Sequence, residues 1–358
     1  MTGVVPSQAI AAMIAQGQVT SGAPVPEDQI QPASLDLRLG DVAYRIRASF
    51  LPGAGSTVME RLSDFEMHQI DLTPGAVLEK GCVYLVPLQE GLALPSEMSA
   101  VANAKSSTGR LDLFTRLITD RGTEFDRIEA GYAGPLYAEI SPRSFSVLLR
   151  PGIRLNQVRF RVGHATLDDT ALRALHADVG LVDQDAHIDD GLAFSVDLRP
   201  RDGEIVGYRA KPHTALIDLD RIGHYPVAEF WEPVAAQDGR IVLDPGAFYI
   251  LVSREAVHVP PDYAAEMAPY IAMVGEFRVH YAGFFDPGFG NAGAGGAGSR
   301  GVLEVRCHEA PFALEHGQVV GRLVYERMMT RPEKLYGRDM GSNYQGQGLK
   351  LSKHFRAD

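Results

Sequence analysis

The apolar residues of this chain fall largely into short runs separated by turn residues. Clear examples are Val83–Val86, Ser146–Leu149, Val158–Val162, Ile241–Leu243 and Phe248–Val252. Short apolar runs bounded by glycine and proline predict β-strands. Their succession, without regularly alternating helical segments, predicts a mainly β fold of the barrel or jelly-roll type with a few short helices.

Two segments instead have a helical pattern. In Ser7–Ala15 the residues Ile10, Met13 and Ile14 fall on one helical face, Ser7 is a plausible N-cap, and Gly17 ends the segment. Asp168–Ala177 is the clearest helical interruption of the β pattern. Helices are therefore expected near the start and near the middle of the chain.

The segment Ile30–Gly40 alternates leucine with charge, since Asp36 and Arg38 lie between Leu35, Leu37 and Leu39. This is the period of a half-buried strand. On pattern alone an edge strand with solvated charges is favoured.

The second half of the chain repeats the first at an offset of 165 residues. Val83–Val86 is echoed by Phe248–Leu251, Glu139 falls on Glu304, and Pro74-Gly75 is matched with Pro245-Gly246. A period of this size is that of a domain rather than of a solenoid repeat. We interpret the chain as a tandem duplication with domains at 1–165 and 216–358, joined by a connecting region at 166–215. Glu204–Arg221 is interpreted as a second connecting segment before the next group of strands.

Glu139 is the strongest candidate for acid–base chemistry. It lies in the strand-like run Leu136–Ile140, where an inward carboxylate would be costly unless it is used or paired. On pattern alone an outward, solvated glutamate on the alternate face is favoured. The residues alone leave both readings open.

Composition and charge narrow the classes of function. The net charge of −11 gives no overall attraction to nucleic acid, so an anionic ligand would need a local basic pocket. The sequence has no apolar run long enough for a membrane helix and no secretory signal pattern. Only two cysteines occur, Cys82 and Cys307, which is typical of a reducing compartment. We therefore expect a cytoplasmic protein that binds a small molecule, with no nucleic-acid or membrane partner.

Two familiar catalytic motifs are absent. A zinc deaminase needs a His or Cys together with a C-x-x-C pair, and the sequence has no C-x-x-C. The G-x-S-x-G elbow of serine hydrolases is missing as well. Activation of water by a carboxylate, without zinc, is what remains.

Three segments resemble motifs of the deoxycytidine triphosphate (dCTP) deaminases, which share a fold with the trimeric dUTPases. The first is Lys105-Ser106-Ser107-Thr108-Gly109-Arg110. The second is the turn Gly131-Tyr132-Ala133-Gly134, followed five residues later by Glu139. The third is the tail, with Tyr336-Gly337 and then Asn343–Gly348. Ile30–Gly40 also resembles the first signature strand of that family.

The resemblance implies a role for each matching residue. Glu139 would be the catalytic acid and base in the deamination of dCTP to dUTP and ammonia, with Ser106 and Arg110 orienting the water and the cytosine. Further substrate contacts would come from Lys105 and Ser107 at the phosphates, from Thr119 and Asp120 at the exocyclic amine, and from Tyr336, Tyr344, Gln345 and Gln347 of the tail. Mg²⁺ would arrive with the triphosphate.

The chain departs from the family pattern at one segment and in its second copy. Residues are inserted around Gly122–Asp126, between the motif strand and the turn at Gly131. In the second copy, Ser106, Ser107 and Arg110 are replaced by Ile271, Ala272 and Gly275. We therefore expect the second domain to keep the fold without a site of its own.

Two alternative functions stay open. A dUTPase, or an enzyme that performs both steps, would need a carboxylate after the hairpin, where the first copy offers only Glu129. A non-catalytic nucleotide-binding β-barrel is the other alternative. Since proteins of this fold work as trimers of domains, the resemblance also implies a homo-oligomer with sites at domain or subunit interfaces.

Overall fold

A computed structural model describes residues 2–199, 205–269, 277–280, 283–337 and 348–356. The helices are α1 Ser7–Ala15, α2 Val58–Leu62, α3 Ser106–Gly109, α4 Asp169–Val179 and α5 Val227–Phe230, with 3₁₀ turns at Glu27–Gln29 and Ala292–Ala294. The strands before residue 165 are β1 Gly3–Val4, β2 Val19–Ser21, β3 Leu35–Arg38, β4 Val42–Ile46, β5 Glu66–Asp71, β6 Ala76–Leu78, β7 Val83–Ala93, β8 Met98–Ala104, β9 Leu113–Thr119, β10 Arg127–Ile128, β11 Ala133–Pro142, β12 Val147–Leu149 and β13 Arg154–Val162. The later strands are β14 Leu192–Ser195, β15 Gly207–Ala210, β16 Ile217–Asp218, β17 Tyr225–Pro226, β18 Trp231–Val234, β19 Arg240–Leu243, β20 Phe248–Val257, β21 Tyr263–Pro269, β22 Phe277–His280, β23 Phe284–Phe285, β24 Ser299–Cys307, β25 Phe312–Glu315, β26 Val319–Arg327 and β27 Phe355–Arg356.

The chain forms two compact units. The first contains Met1–Ala165 and Ala215–His224, and the second contains Thr166–Thr214 and Tyr225–Asp358. Each is built from mainly antiparallel sheets, which confirms the predicted mainly β architecture. Residues 166–214, which the sequence pattern suggests as a connecting region, belong to the second unit.

Two main sheets position the site in the first unit. One has the strand order β1-β13-β8-β10 with β3 also on β13, and the other has the order β5-β4-β7-β11-β9 with β2 on β7. Strand β9 of the second sheet also contacts β8 and β13 of the first. Strand β11 is paired along both edges, with β7 and with β9, and its residues from Leu136 to Pro142 are buried.

The second unit has its own apolar core. Helix α4 begins after Asp168, whose side chain accepts a hydrogen bond from the backbone N–H of Ala171 at 2.8 Å. The helix contributes Leu172 and Leu175 to a core shared with Leu192 and other strand residues. Among the described residues, no helix is both long and apolar enough to cross a bilayer.

Strand pairings recur between the two units at a spacing of 165 residues. In the first unit Leu85 pairs with Glu139, Met98 with Val162 and Leu78 with Val147. Adding 165 to each number gives pairs present in the second unit: Ile250 with Glu304, Tyr263 with Arg327 and Leu243 with Phe312. The two units therefore share register as well as strand content.

One matched turn in the sequence comparison was assigned incorrectly. Gly246 lies between β19 and β20 with φ of 71°, and its counterpart between β6 and β7 is Gly81, with φ of 81°, rather than Gly75. Both positions lie in the left-handed region, which glycine enters without steric cost. Pro74-Gly75 instead precedes β6, so that match was out of register.

Three further expectations are corrected by the structure. Helix α1 begins at Ser7 itself, and its N-cap is Pro6, without a side-chain hydrogen bond. In β3 the charged residues are buried, with Asp36 and Arg38 only 1% and 8% exposed, because both are paired within the unit. The described part of Glu204–Arg221 contains strand β15, which pairs with β18 and β20 in the second unit.

Replacing Thr57 with alanine is expected to lower the free energy of unfolding of the first unit by about 1 kcal/mol. The Thr57 side chain accepts from the N–H of Glu60 at 3.2 Å, and the Glu60 carboxylate accepts from the N–H of Thr57 at 2.7 Å. This capping box holds the start of α2, and urea unfolding followed by circular dichroism measures its loss. Ser63→Ala at the far end of α2 is the control, and an equal effect of both substitutions would contradict the capping role.

Candidate active site

Glu139 lies in the middle of β11 and is 2% exposed. Its neighbours Leu136, Tyr137, Ala138 and Ile140 are also buried, and the strand pairs with β7 along one edge and with β9 along the other. A carboxylate in such a place is costly unless it is paired or used. The outward, solvated alternative for Glu139 is therefore wrong.

Arg116 of β9 is the direct partner of Glu139. The two residues are opposite each other in the β9–β11 register. Oε1 of Glu139 accepts from Nη2 of Arg116 at 2.5 Å and from Nε at 3.2 Å. Oε2 is buried and has no hydrogen-bond partner among the described residues. One carboxylate oxygen is thus held while the other is available as a proton acceptor.

A segment containing α2 packs over the same face of the sheet. Phe50, Val58 and Leu62 form an apolar cluster with Tyr137 of β11 and Ile118 of β9. The cluster covers part of the sheet face that carries Glu139 and Arg116, whose side chains are 2% and 23% exposed. Partial exclusion of water strengthens electrostatic interactions with the carboxylate.

The predicted amine-binding pair lies at the end of β9. Thr119 is 4% exposed and pairs with Leu136, three residues from Glu139 along β11. The Asp120 carboxylate caps α2 by accepting from the N–H of Val58 at 2.8 Å, so that this side chain has a structural role.

Two tyrosines near this end have raised pKa values. Burial, reinforced by the Asp120 carboxylate, raises the pKa of Tyr132 to about 12. Its hydroxyl donates to the carbonyl of Pro135 at 2.6 Å and accepts from the N–H of Asp120 at 3.2 Å. Burial also raises the pKa of Tyr137. Both phenols are therefore neutral at physiological pH and act as hydrogen-bonding groups.

The serine-rich motif forms α3 and its flanks. Ser107 and Arg110 are buried and Ser106 is half-buried, and the N–H of Arg110 donates to the carbonyl of Ser106 at 3.1 Å. The hydroxyl of Thr108 donates to the carbonyl of Leu155 at 3.0 Å, which fixes the short helix against β13. Hydroxyls and a guanidinium are thereby gathered in one place.

Lys105, expected to contact phosphate, forms an ion pair with the buried Asp36 of β3. Asp36 is also 4.0 Å from Arg154, which forms a second ion pair with Asp28 at 3.0 Å. Asp28, Asp36 and Arg154 were missed by the sequence analysis. The Arg154 guanidinium lowers the pKa of Asp28, so both members of that pair are charged at neutral pH.

The structure does not join the α3 cluster to Glu139. Among the described residues, Arg116 is the hydrogen-bond partner of Glu139. The chain enters β9 from α3 at Asp112, whose carbonyl accepts from the N–H of Arg143.

Of the predicted tail residues, Tyr336 lies in the part of the chain that the structure describes. The Tyr336 ring packs 5.5 Å from that of Phe289, and its N–H donates to the carbonyl of Pro287 at 2.9 Å, all within the second unit. Tyr344, Gln345 and Gln347 lie outside the described residues. In the described ranges no three His, Cys, Asp or Glu side chains are grouped so that they could hold a metal ion.

Comparison with known proteins adds independent information. The models of the N-terminal and C-terminal domains of 2'-deoxycytidine 5'-triphosphate deaminase match residues 1–164 and 168–355. The crystal structure of 2'-deoxycytidine 5'-triphosphate deaminase from Agrobacterium tumefaciens is 59% identical, with a TM-score of 0.88 over 92% of this chain and 99% of that one.

Curated relatives agree over a shorter part. A dCTP deaminase from Haloarcula marismortui is 29% identical over 38% of this chain and 67% of its own length. A "dCTP deaminase, dUMP-forming" from Methanosphaera stadtmanae is 30% identical over 44% of this chain and 78% of its own length. With both of its halves matched by the two domain models, this chain belongs to the 2'-deoxycytidine 5'-triphosphate deaminase family.

Proposed function

We propose that this enzyme removes the amino group of dCTP hydrolytically to form dUTP and ammonia, with Glu139 as general base and acid. The observation that carries the proposal is the state of the Glu139 carboxylate. It is buried in an apolar strand, one oxygen is held by Arg116 and the other has no partner among the described residues. A group of this kind is suited to moving a proton.

The proposed reaction needs one water molecule and no covalent intermediate with the protein. Oε2 of Glu139 takes a proton from the water as its oxygen attacks C4 of the cytosine ring. The same carboxyl group delivers that proton to N3. A second transfer, from the added hydroxyl to the amino group, lets the C4–N bond break with release of ammonia.

The α3 cluster is proposed to orient the water and the base. Ser106 and Arg110 would supply a hydroxyl and a guanidinium fork, and Ser107 would contact the phosphate oxygens. We further propose that the enzyme works as a homo-oligomer in which a neighbouring chain completes the site. Tyr336, Tyr344, Gln345 and Gln347 of the tail are proposed to contact the triphosphate.

The same proposal covers the metal ion, the cellular compartment and the origin of the two units. The triphosphate brings Mg²⁺ as part of the substrate, and we propose no role for zinc. Cys82 and Cys307 are not joined in a disulfide, which fits the proposal of a cytoplasmic enzyme of deoxynucleotide metabolism. The shared strand registers favour an origin of the two units by tandem duplication.

A second candidate is an enzyme that continues from dUTP to dUMP. Several curated relatives, including one from Coprothermobacter proteolyticus, are described as dUMP-forming. The carboxylate that the first copy offers for this step, Glu129, is 77% exposed and paired with Arg127 at 3.0 Å. An exposed, paired carboxylate is poorly placed as a base, so dUTP is the favoured product.

Incubation with dCTP, dUTP and CTP, followed by identification of the products, tests the proposal. We expect ammonia and dUTP in equal amounts from dCTP, with dUTP itself left unchanged. Release of dUMP and pyrophosphate would favour the second candidate. Failure to release ammonia from dCTP would contradict both.

A further inference from the structure

We propose that Arg116 is a positioning residue that directs the free oxygen of Glu139 toward the reacting water, an inference that rests on the function proposed for Glu139. Both hydrogen bonds from Arg116 to Glu139 go to the same oxygen, with Nη2 and Nε at 2.5 and 3.2 Å from Oε1. A symmetric fork would engage both carboxylate oxygens. This arrangement instead fixes the carboxylate plane and leaves Oε2 as the acceptor.

Arg116 is itself restrained on three sides. Its guanidinium carbon lies 3.5 Å from the ring centre of Phe125 and 4.8 Å from that of Phe114. Nη2 also donates to Oγ of Ser49 at 2.8 Å. Aromatic faces attract a guanidinium through their quadrupole, most strongly where water is partly excluded. These contacts hold the Arg116 side chain in one position, and its hydrogen bonds in turn hold the Glu139 carboxylate.

Phe125 comes from the segment Gly122–Asp126 that departs from the family pattern. The backbone of this segment is fastened to β9, because the Asp126 carboxylate accepts from the N–H of Leu117 at 2.7 Å and the N–H of Asp126 donates to the Leu117 carbonyl at 3.0 Å. The inserted residues thus place the aromatic ring of Phe125 against Arg116, which holds the candidate catalytic carboxylate.

Loss of Arg116 is expected to lower the turnover rate more than the affinity for dCTP. Arg116 contacts Glu139 and is not one of the residues proposed to bind the nucleotide, so its loss should leave the affinity for dCTP nearly intact. A displacement of about 1 Å at a reacting group can reduce the rate on the order of 100-fold. The effect should therefore fall on kcat, with little change in KM.

Steady-state ammonia release from dCTP by the full-length protein tests this role. For Arg116→Gln we expect kcat to fall by about 100-fold with KM within about threefold of the wild-type value. Arg116→Lys, which keeps the charge but not the fork, should lose about tenfold. Phe125→Leu should lose about threefold to tenfold, because the arginine stays but its restraint weakens.

Arg143→Gln is the matched control. The guanidinium of Arg143 also lies over the Phe114 ring, at 5.5 Å, but its side chain is exposed and is not a partner of Glu139. This variant should retain wild-type kcat. Added guanidinium ion should restore part of the activity of Arg116→Ala and none of the activity lost in Glu139→Gln, since only the first variant leaves a cation-sized gap.

The outcomes separate this inference from the proposed function. If Arg116→Gln and Arg116→Lys both bind dCTP and turn over within twofold of wild type while Glu139→Gln is inactive, the positioning role is wrong and the function of Glu139 stands. If Glu139→Gln remains active, the proposed function fails first. If Arg116→Gln does not fold, Arg116→Lys and Phe125→Leu are used instead. Turnover within twofold of wild type in both of these variants would contradict the positioning role.

Discussion

Glu139→Gln is expected to lose ammonia release from dCTP by a factor of about 10² to 10⁴, which is the usual contribution of a positioned acid–base group. Glutamine keeps the length of the side chain, and its carbonyl oxygen still accepts from Arg116. It removes the negative charge and the basic oxygen at the position of Oε2, which is buried and without a partner among the described residues. Binding of the nucleotide should survive, since the change is nearly isosteric.

Two measurements on each variant check this expectation: single-turnover ammonia release and the dissociation constant of dCTP by calorimetry. Glu66→Gln is the control, because Glu66 is an exposed carboxylate on the outer strand β5. It should behave as wild type in both measurements. Retention of more than a tenth of the wild-type rate by Glu139→Gln would remove Glu139 from the mechanism.

Glu90→Ala is expected to destabilise the first unit by about 3–5 kcal/mol, the usual cost of removing one partner of a buried ion pair. The Glu90 side chain is fully buried, and Oε1 accepts from Nε of Arg38 at 2.7 Å and from Nε2 of Gln29 at 2.8 Å. Oε2 accepts from the backbone N–H of Arg38 at 2.8 Å. Alanine leaves a buried guanidinium and a backbone donor without this acceptor.

The position of the single tryptophan makes this effect assignable to one unit. Trp231 belongs to the second unit, so its fluorescence follows that unit, whereas hydrogen exchange at the amides of β11, which pairs with β7 and β9, follows the first. Glu90→Ala should accelerate exchange at these β11 amides and leave the fluorescence transition in urea in place. Glu97→Ala, at an exposed position, should change neither. A loss of less than about 1 kcal/mol at the β11 amides would show that Glu90 is dispensable.

The strands and the mainly β class were predictable because they rest on local information. Runs such as Val83–Val86 and Phe248–Val252 are apolar and bounded by turn residues, and each lies within an observed strand, β7 and β20. The 165-residue offset was also recoverable from sequence, because equal spacing of strands preserves their register. Local patterns fail where the burial of a residue depends on a partner that is distant in the sequence. Alternation predicts a solvated Asp36, whereas the structure buries it in an ion pair with Lys105.

The Arg116–Glu139 pair shows what sequence reasoning could have found and did not. Each residue is the single charge in an otherwise uncharged strand segment, Leu113–Thr119 for Arg116 and Ala133–Pro142 for Glu139. Two lone opposite charges in neighbouring strands are a signal for a buried pair. The role of Phe125 had no such signal, because its approach to Arg116 depends on how the inserted segment folds back onto β9.

The common spacing of strand pairs limits which changes of sequence either half can tolerate. A single residue gained or lost within a strand would turn its inward side chains outward, whereas a substitution leaves the pairing in place. The second copy lacks the serines and the arginine of the motif, yet strand pairs elsewhere in it keep the register of the first copy. Functional groups can therefore be exchanged at single positions without altering how these strands pair.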